Sequence, residues 1–268
     1  MPIKPYDELT IQDNFIFQKV MRNKNICKKT IERLLDISVK DISYPEEEKS
    51  IDVRLDSKSI RLDVYVNDEK GTVFNIEMQT SKDMTELVKR TRYYQAMIDI
   101  DLLEKGRSYK ALNDTYIIFI CTFGVFTGNR HKYTFRNLCM EDYKIALEDG
   151  TTKLFLSTKG EADDISLPLK SFLEYIDGHA PQDELMKEID EAVETVKNRE
   201  EWRREYMTLA LEMERKWAEA LSEGEARGEV KGKIEMLKEL VRDGILTIKD
   251  AAKRAGLSEE LFRKQAML

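Results

Sequence analysis

The runs Arg61-Leu62-Asp63-Val64-Tyr65-Val66 and Thr72-Val73-Phe74-Asn75-Ile76-Glu77-Met78-Gln79 both alternate apolar and polar residues with a period of two. That period belongs to half-buried strands, in which successive side chains point to opposite faces. Leu62, Val64 and Val66 share one face of the first run, and Phe74, Ile76 and Met78 share one face of the second. Arg61, Asp63 and Tyr65, then Asn75, Glu77 and Gln79, take the other. Between them Asn67-Asp68-Glu69-Lys70-Gly71 is polar and ends in glycine, which predicts a hairpin loop. With Val66 paired to Thr72, Asp63 lies opposite Asn75 and diagonal to Glu77, roughly 7–8 Å away at the backbone. Two carboxylate heads on one face at that separation can share a divalent cation.

Oxygen ligands from Asp and Glu suit Mg²⁺ or Mn²⁺, which keep several waters and take one or two protein carboxylates. The backbone carbonyl of Met78, between Glu77 and Gln79, offers a third ligand. Such a site activates water and stabilises charge on a phosphoryl oxygen, the two needs of phosphodiester hydrolysis. Carboxylates on the solvent face of a hairpin are equally an ordinary surface, and spacing alone does not choose. Arg54-Leu55-Asp56 mimics Arg61-Leu62-Asp63 but runs into Ser57-Lys58-Ser59, a turn. Asp56 therefore reads as a local hydrogen-bonding residue and Asp63 as the candidate ligand.

Around the hairpin the pattern is mixed. Residues from about Thr10 to Leu35 read as one or two helices with a polar break at Asn23-Lys24-Asn25. Ile51 to Leu55 is a short strand candidate. Met84 to about Leu103 reads as a helix with Leu87, Thr91, Tyr94 and Ile98 on one side. Tyr116 to Cys121 is a continuous apolar run, as in a strand buried on both faces. Lys132–Phe135 and Lys153–Leu156 are further strand candidates. This order predicts an α/β core over residues 1–180. From 181 to 268 the chain is rich in Glu, Lys, Arg, Ala, Met and Leu, the composition of a charged helical extension. Gly224, Gly228 and Gly232 mark a place for that helix to fray or bend. Met207, Leu211, Met213 and Trp217 offer apolar patches for a second chain, without a sustained heptad. At the end, Gly256 is placed to stop one helix and Ser258 to cap the next, a helix-turn-helix outline that fits packing or self-association better than DNA contact.

Bulk composition narrows the classes. The chain has 268 residues and a net charge of −7, so no global positive field advertises nucleic acid. Neither the core nor the extension is basic, and any such site must be a local patch or depend on a bound metal. The three cysteines and two histidines form no zinc-like spacing, and an odd, scattered set of cysteines makes a disulfide framework improbable. Cys121 reads as a small core residue, and His131 as a loop residue with a surface or DNA-backbone role open to it. No apolar leader or long uncharged apolar run is present, so the expectation is a cytoplasmic protein that engages no membrane.

The run Arg61-Leu62-Asp63-Val64, the Gly71 loop, Phe74 to Gln79 and the following Lys89-Arg90-Thr91-Arg92-Tyr93-Tyr94 together resemble the PD-(D/E)xK nuclease family transposases, also called Rpn-type recombination-promoting nucleases. The likeness runs from Thr10–Phe17 to Ile117–Cys121, and Gly224, Gly228, Gly232 and Gly256-Leu257-Ser258 resemble the family's tail. It implies a restriction-endonuclease-like mixed sheet flanked by helices. It also implies a Mg²⁺- or Mn²⁺-dependent endonuclease acting on DNA, linked to mobile elements, recombination or defence. Carried over by position, Asp63 is the metal-binding Asp and Glu77 the second acid. Gln79 stands where the wider superfamily most often has Lys, and a neutral amide can orient and hydrogen-bond but carries no charge. Lys89, Arg90 and Arg92 can restore the cation from the next helix, with Arg90 and Tyr94 favoured as the helix motif and Lys89 and Arg92 left for DNA phosphates. Asp13 matches an additional acid of the superfamily. The alternative is a nuclease fold that has lost catalysis and acts as a nucleic-acid-binding or assembly module.

Overall fold

A computed structural model describes residues 3–44, 50–51 and 60–267. They form two compact units, Lys4–Arg203 and, chiefly, Arg204–Leu268. In the first, α1 (Asn14–Met21) and α2 (Lys24–Leu35) are separated by Asn23. The Asn23 side chain accepts from the backbone N–H of Asn25 and Ile26, so the polar break is the N-cap of the second helix.

Eight strands follow: β1 (Ile42–Ser43), β2 (Ser50–Ile51), β3 (Ile60–Arg61), β4 (Val64–Asp68), β5 (Val73–Gln79), β6 (Thr115–Cys121), β7 (Lys132–Phe135) and β8 (Thr151–Ser157). Six make one sheet in the order β1-β4-β5-β6-β8-β7, while β2 and β3 pair separately. The β4–β5 hairpin is antiparallel, β5, β6 and β8 are parallel, and β7 returns antiparallel on the edge. Helix α3 (Met84–Leu102) makes the crossover from β5 to β6 that a parallel pair requires. This is the mixed α/β core expected from the pattern, restriction-endonuclease-like as the resemblance implies, and β6 is the doubly buried strand.

The hairpin departs from expectation in three ways. First, the run from Arg61 is not one strand. Ile60–Arg61 pairs with Ser50–Ile51, the chain bends at Asp63, and β4 begins at Val64. Second, Val66 pairs with Phe74 rather than Thr72, because Asp68 and Thr72 close a tighter loop through Asp68 N–H to Thr72 O. A shift of two residues keeps the side chains of β4 and β5 on their faces and moves Asp63 from diagonal to level with Glu77, whereas Leu62, before the bend, clusters with Tyr65 and Val73 instead of with Val64 and Val66. Third, the polar face is not solvated. Asn75 and Glu77 are both buried, because α3 lies over that face and packs Leu87, Tyr94, Met97 and Ile98 against Tyr65, Val73, Ile117, Phe119 and Phe155. The opposite face, with Val64, Val66, Phe74, Ile76 and Met78, is buried too, and α1 packs on β5. Of the strand expected over residues 51–55, Ile51 lies in β2; residues 52–55, and Asp56 with them, lie outside the described residues.

Two further helices, α4 (Leu167–Ile176) and α5 (Glu184–Lys197), belong to this unit, and α5 packs on α1 and α2. Lys29–Glu188 and Arg33–Asp183 ion pairs border that contact. His131 is buried rather than on a loop surface. Its Nδ1 lies 3.1 Å from Asp164 Oδ1, and Gly160 packs against it so closely that a Cβ there would meet the ring at 2.5 Å.

Helix α6 (Glu200–Arg242) runs unbroken through Gly224, Gly228 and Gly232, so the glycines do not interrupt it. Within the second unit, α7 (Ile248–Ala255) and α8 (Glu259–Ala266) fold back on it. Ile234 and Leu237 pack with Ala251, Ala252, Phe262 and Ala266. Gly256 stops α7 at φ 72° and Ser258 caps α8 through Leu261 N–H. The helix-turn-helix outline is thus a packed element whose apolar face is spent inward.

Gly71 closes the hairpin at φ 84°, and a Cβ there would stand 2.5 Å from Asn113 Nδ2, which donates to Gly71 O. Gly71→Ala is expected to cost about 1–3 kcal/mol, the usual range for a side chain forced into the left-handed region. A urea unfolding curve with an unchanged midpoint would contradict this.

Candidate active site

Two carboxylates meet where β4 begins and β5 ends. Asp63 N–H donates to Glu77 Oε1 at 3.1 Å, and Met78 N–H donates to Asp63 Oδ2 at 3.2 Å. These bonds replace the ladder that Asp63 leaves by bending, and they lock each acid to the other's backbone. Because the N–H and C=O of a strand residue face the same edge, the Met78 carbonyl lies on the Asp63 side of β5. Helix α1 adds two amides: Gln18 Nε2 donates to Asp63 Oδ1 at 2.9 Å and Asn14 Nδ2 reaches it at 3.5 Å. Asn75, its amide oriented by the network, donates to Glu77 Oε1 at 3.1 Å and to Val64 O.

Arg90 of α3 supplies the counter-charge. Its NH2 donates to Glu77 Oε2 at 3.2 Å and to Tyr94 OH at 2.7 Å, and its NH1 donates to Gln79 Oε1 at 2.8 Å. The guanidinium also lies 5.2 Å from the Tyr94 ring and 5.5 Å from the Phe119 ring, within cation–π range. Residues 90 and 94 are one turn apart on the helix, so one face presents both. Gln79 gives its oxygen to Arg90 and its nitrogen to Ser81 O, so the amide works as a brace for the cation.

Burial dominates the electrostatics. It pushes the Asp63 carboxyl up to about 6, against the lowering effects of Gln18, the Met78 N–H, Arg90 and Arg61. Burial and the charge of Asp63 hold Glu77 well above the usual carboxylate range, beyond what the Asp63 N–H, Arg90 and Asn75 offset. Burial, then Glu77, raises the Tyr94 phenol to about 12, so it keeps its proton at neutral pH. Desolvation opposes the charge on Arg90, but Tyr94, Glu77 and Asp63 together hold its pKa above the ordinary value.

The donor set fits a hard divalent cation. Among the described residues no group of three or more His, Cys, Asp or Glu side chains is placed to hold a metal. Two adjacent carboxylates are nevertheless what Mg²⁺ or Mn²⁺ takes while keeping water, and each of their oxygens has more than one acceptor direction. Their mutual repulsion in a buried setting is the energetic cause that a cation would relieve.

Asp63, Glu77, Gln79, Arg90 and Tyr94 are therefore brought together. Lys89 stands on the neighbouring surface of α3, and Arg92 is exposed on another side of it. Asp13 is not brought to the pair. Its Oδ2 accepts from Lys4 Nζ and Thr10 N–H, each at 2.7 Å, which makes it a brace for the chain entering α1. Asn14 and Gln18 are further neighbours of Asp63, not among the residues expected at the site. Their signal is two amides one turn apart in the otherwise apolar Asn14-Phe15-Ile16-Phe17-Gln18.

The chain matches the family model of the PD-(D/E)XK nuclease family transposases over residues 14–224. It belongs to that family, whose nucleases generally use divalent metals. No curated protein and no solved structure matches it.

With chelator present, the raised Asp63 pKa has a stability consequence. Between the unfolded carboxylate value near 4 and about 6, the folded protein binds more protons than the unfolded chain, so stability falls as pH rises through that window. Asp63→Asn removes this pH dependence. The metal-free variant is expected to melt at an increasingly higher temperature than the wild type as pH rises from 4 to 6, and a gap that shrinks over that range would refute the assignment.

Proposed function

We propose that this chain is a Mg²⁺- or Mn²⁺-dependent DNA endonuclease of the recombination-promoting, Rpn-type branch, serving a mobile element, recombination or defence. The observation that carries the reading is the pair of half-buried Asp63 and buried Glu77, with Glu77 held against Arg90, at the carboxyl end of β5. Crevices at the carboxyl ends of parallel strands are where such sheets take ligands.

Asp63, Glu77 and the Met78 carbonyl would hold the cation. Bound there, it would supply Lewis-acid charge stabilisation and lower the pKa of water. The chain's own groups do the rest. Gln18 and Asn14 fix the rotamer of Asp63, and Asn75 and the Asp63 N–H fix Glu77. Arg90 spends three N–H bonds on Gln79, Glu77 and Tyr94, leaving two of the five guanidinium donors for a phosphoryl oxygen. It takes over the charge that Lys would carry at position 79, and Gln79 orients it. Lys89 extends the cationic surface for the DNA backbone, while Arg92, on another side of α3, does not join it.

A second reading, a nuclease fold retained for binding or assembly without catalysis, is favoured by one feature. Arg90 already neutralises Glu77 from within the protein. Plasmid incubated with Mg²⁺ or Mn²⁺ separates the two. Cleavage is expected, lost in Asp63→Ala and Glu77→Ala and lowered about 10²–10³-fold in Arg90→Ala. Cleavage that survives Asp63→Ala and Glu77→Ala would sink the site. Salt-sensitive binding without cleavage would establish the second reading.

Self-association through α6 and cytoplasmic action complete the proposal. Met207, Leu211, Trp217 and Leu221 are all about half exposed or more and fall within roughly a 120° arc at helical spacing. Cys27, Cys121 and Cys139 are free thiols, which suits a reducing compartment.

No helix among the described residues is long and apolar enough to cross a membrane. Leu211→Glu with Trp217→Glu is expected to lower the sedimenting mass of the full chain; an unchanged mass would contradict the α6 interface.

A further inference from the structure

Beside the carboxylate pair, the outer face of α3 and strand β3 enclose a recess of about 390 Å³. Ile60 and Tyr94, both almost fully buried, form its floor. Tyr93, 37% exposed, stands at its side, and Arg61, Lys89 and Arg90 line it. Among the described residues Glu86 is the single acid on the wall, beside Arg61, Lys89 and Arg90, the last of which also bonds Glu77. Helical spacing explains the arrangement: residues 86, 89, 90, 93 and 94 lie on one side of α3, while Leu87 and Ile98, further round the helix, point into the core.

A surface that only tracks a duplex backbone needs cations and no recess. An apolar floor flanked by an exposed tyrosine and rimmed by cations instead matches one nucleotide: an aromatic base in the recess and its phosphate on the rim. Stacking on aromatic side chains joined to a positive groove is how proteins hold single-stranded nucleic acid. A base inside a duplex cannot enter such a recess without leaving the stack. Arg90 belongs both to the recess and to the carboxylate site, so a nucleotide seated here is joined to the phosphate that Arg90 faces.

We propose that this recess takes one unpaired nucleotide of the DNA strand, with its base against Tyr93 and its phosphate between Arg61 and Lys89, so that the protein prefers single-stranded or locally opened DNA. The proposal rests on the nuclease reading for the identity of the ligand, but not on turnover.

The test is binding of the full chain, in EDTA so that no cleavage intervenes, to a labelled short oligothymidylate and to a labelled duplex. The wild type is expected to bind the single strand more tightly than the duplex. Tyr93→Ala should weaken single-strand binding at least about fivefold, the low end of base–aromatic stacking, and leave duplex binding unchanged. Tyr93→Phe, which keeps the ring, should restore it. Lys89→Ala should weaken single-strand binding and reduce its salt dependence by about one phosphate contact. Tyr109→Ala, at an 83%-exposed tyrosine outside the recess, should bind as the wild type does. No single-strand binding by the wild type, equal loss on both DNAs, or full affinity in Tyr93→Ala would each overturn the proposal. Metal-dependent cleavage lost in Asp63→Ala yet indifferent to Tyr93 would leave the nuclease reading standing and this one fallen. Tyr93-dependent binding without any cleavage would do the reverse.

Discussion

Everything at the site is organised around the cost of holding two carboxylates side by side with little access to water. Glu77 sits where a solvated hairpin face would have been harmless, yet α3 covers that face and buries it, and Asp63 beside it is half-buried. A buried charge is tolerated only when it is paired and hydrogen-bonded. The fold meets that requirement from three directions: amides from α1, backbone N–H groups from the bend at Asp63 and the end of β5, and a guanidinium from α3. Elements far apart in sequence are thereby tied to one point.

The guanidinium is the pivot of that arrangement. Glu77, Gln79 and Tyr94 are acceptors on two different elements, and Arg90 bonds all three. Position 79 thus makes sense as an amide. A lysine there would face the Arg90 guanidinium at close range, whereas a glutamine oxygen accepts from it. The positive charge beside the carboxylates comes from the helix and not from the strand. The neighbouring recess follows from the same face of α3, since residue 90 serves the carboxylates and residues 89 and 93 serve the outside.

Much of this was legible in the residues. Alternation placed Asp63, Glu77 and Gln79 on one face, and the helix from Met84, the buried strand at Tyr116–Cys121 and the break at Asn23 lie where periodicity and capping put them. What was not legible has physical causes. Alternation fixes which face a side chain takes but not the register, and a tighter loop moved the pairing by two residues, making the acids level instead of diagonal. Burial of a polar face cannot be read from a strand alone, because it depends on what packs there. Asn14 and Gln18 needed tertiary information, being distant in sequence from Asp63. His131 looked like a loop residue because Asp164 and Gly160, which enclose it, come from elsewhere in the chain. Glycines in α6 suggested a bend, but the surrounding helix formers outweigh a penalty of about 1 kcal/mol each.

On the proposed reading the Asp63–Glu77 pair is a cation site and not merely a self-satisfied ion pair with Arg90. A crystal of the full chain soaked in Mn²⁺ and measured for anomalous scattering tests it most directly. The account predicts a peak between the two carboxylates, with an oxygen of each at about 2.0–2.2 Å, close to the distances of small hard cations. A peak elsewhere, with Arg90 still bonded to Glu77 and no density between the acids, would contradict it.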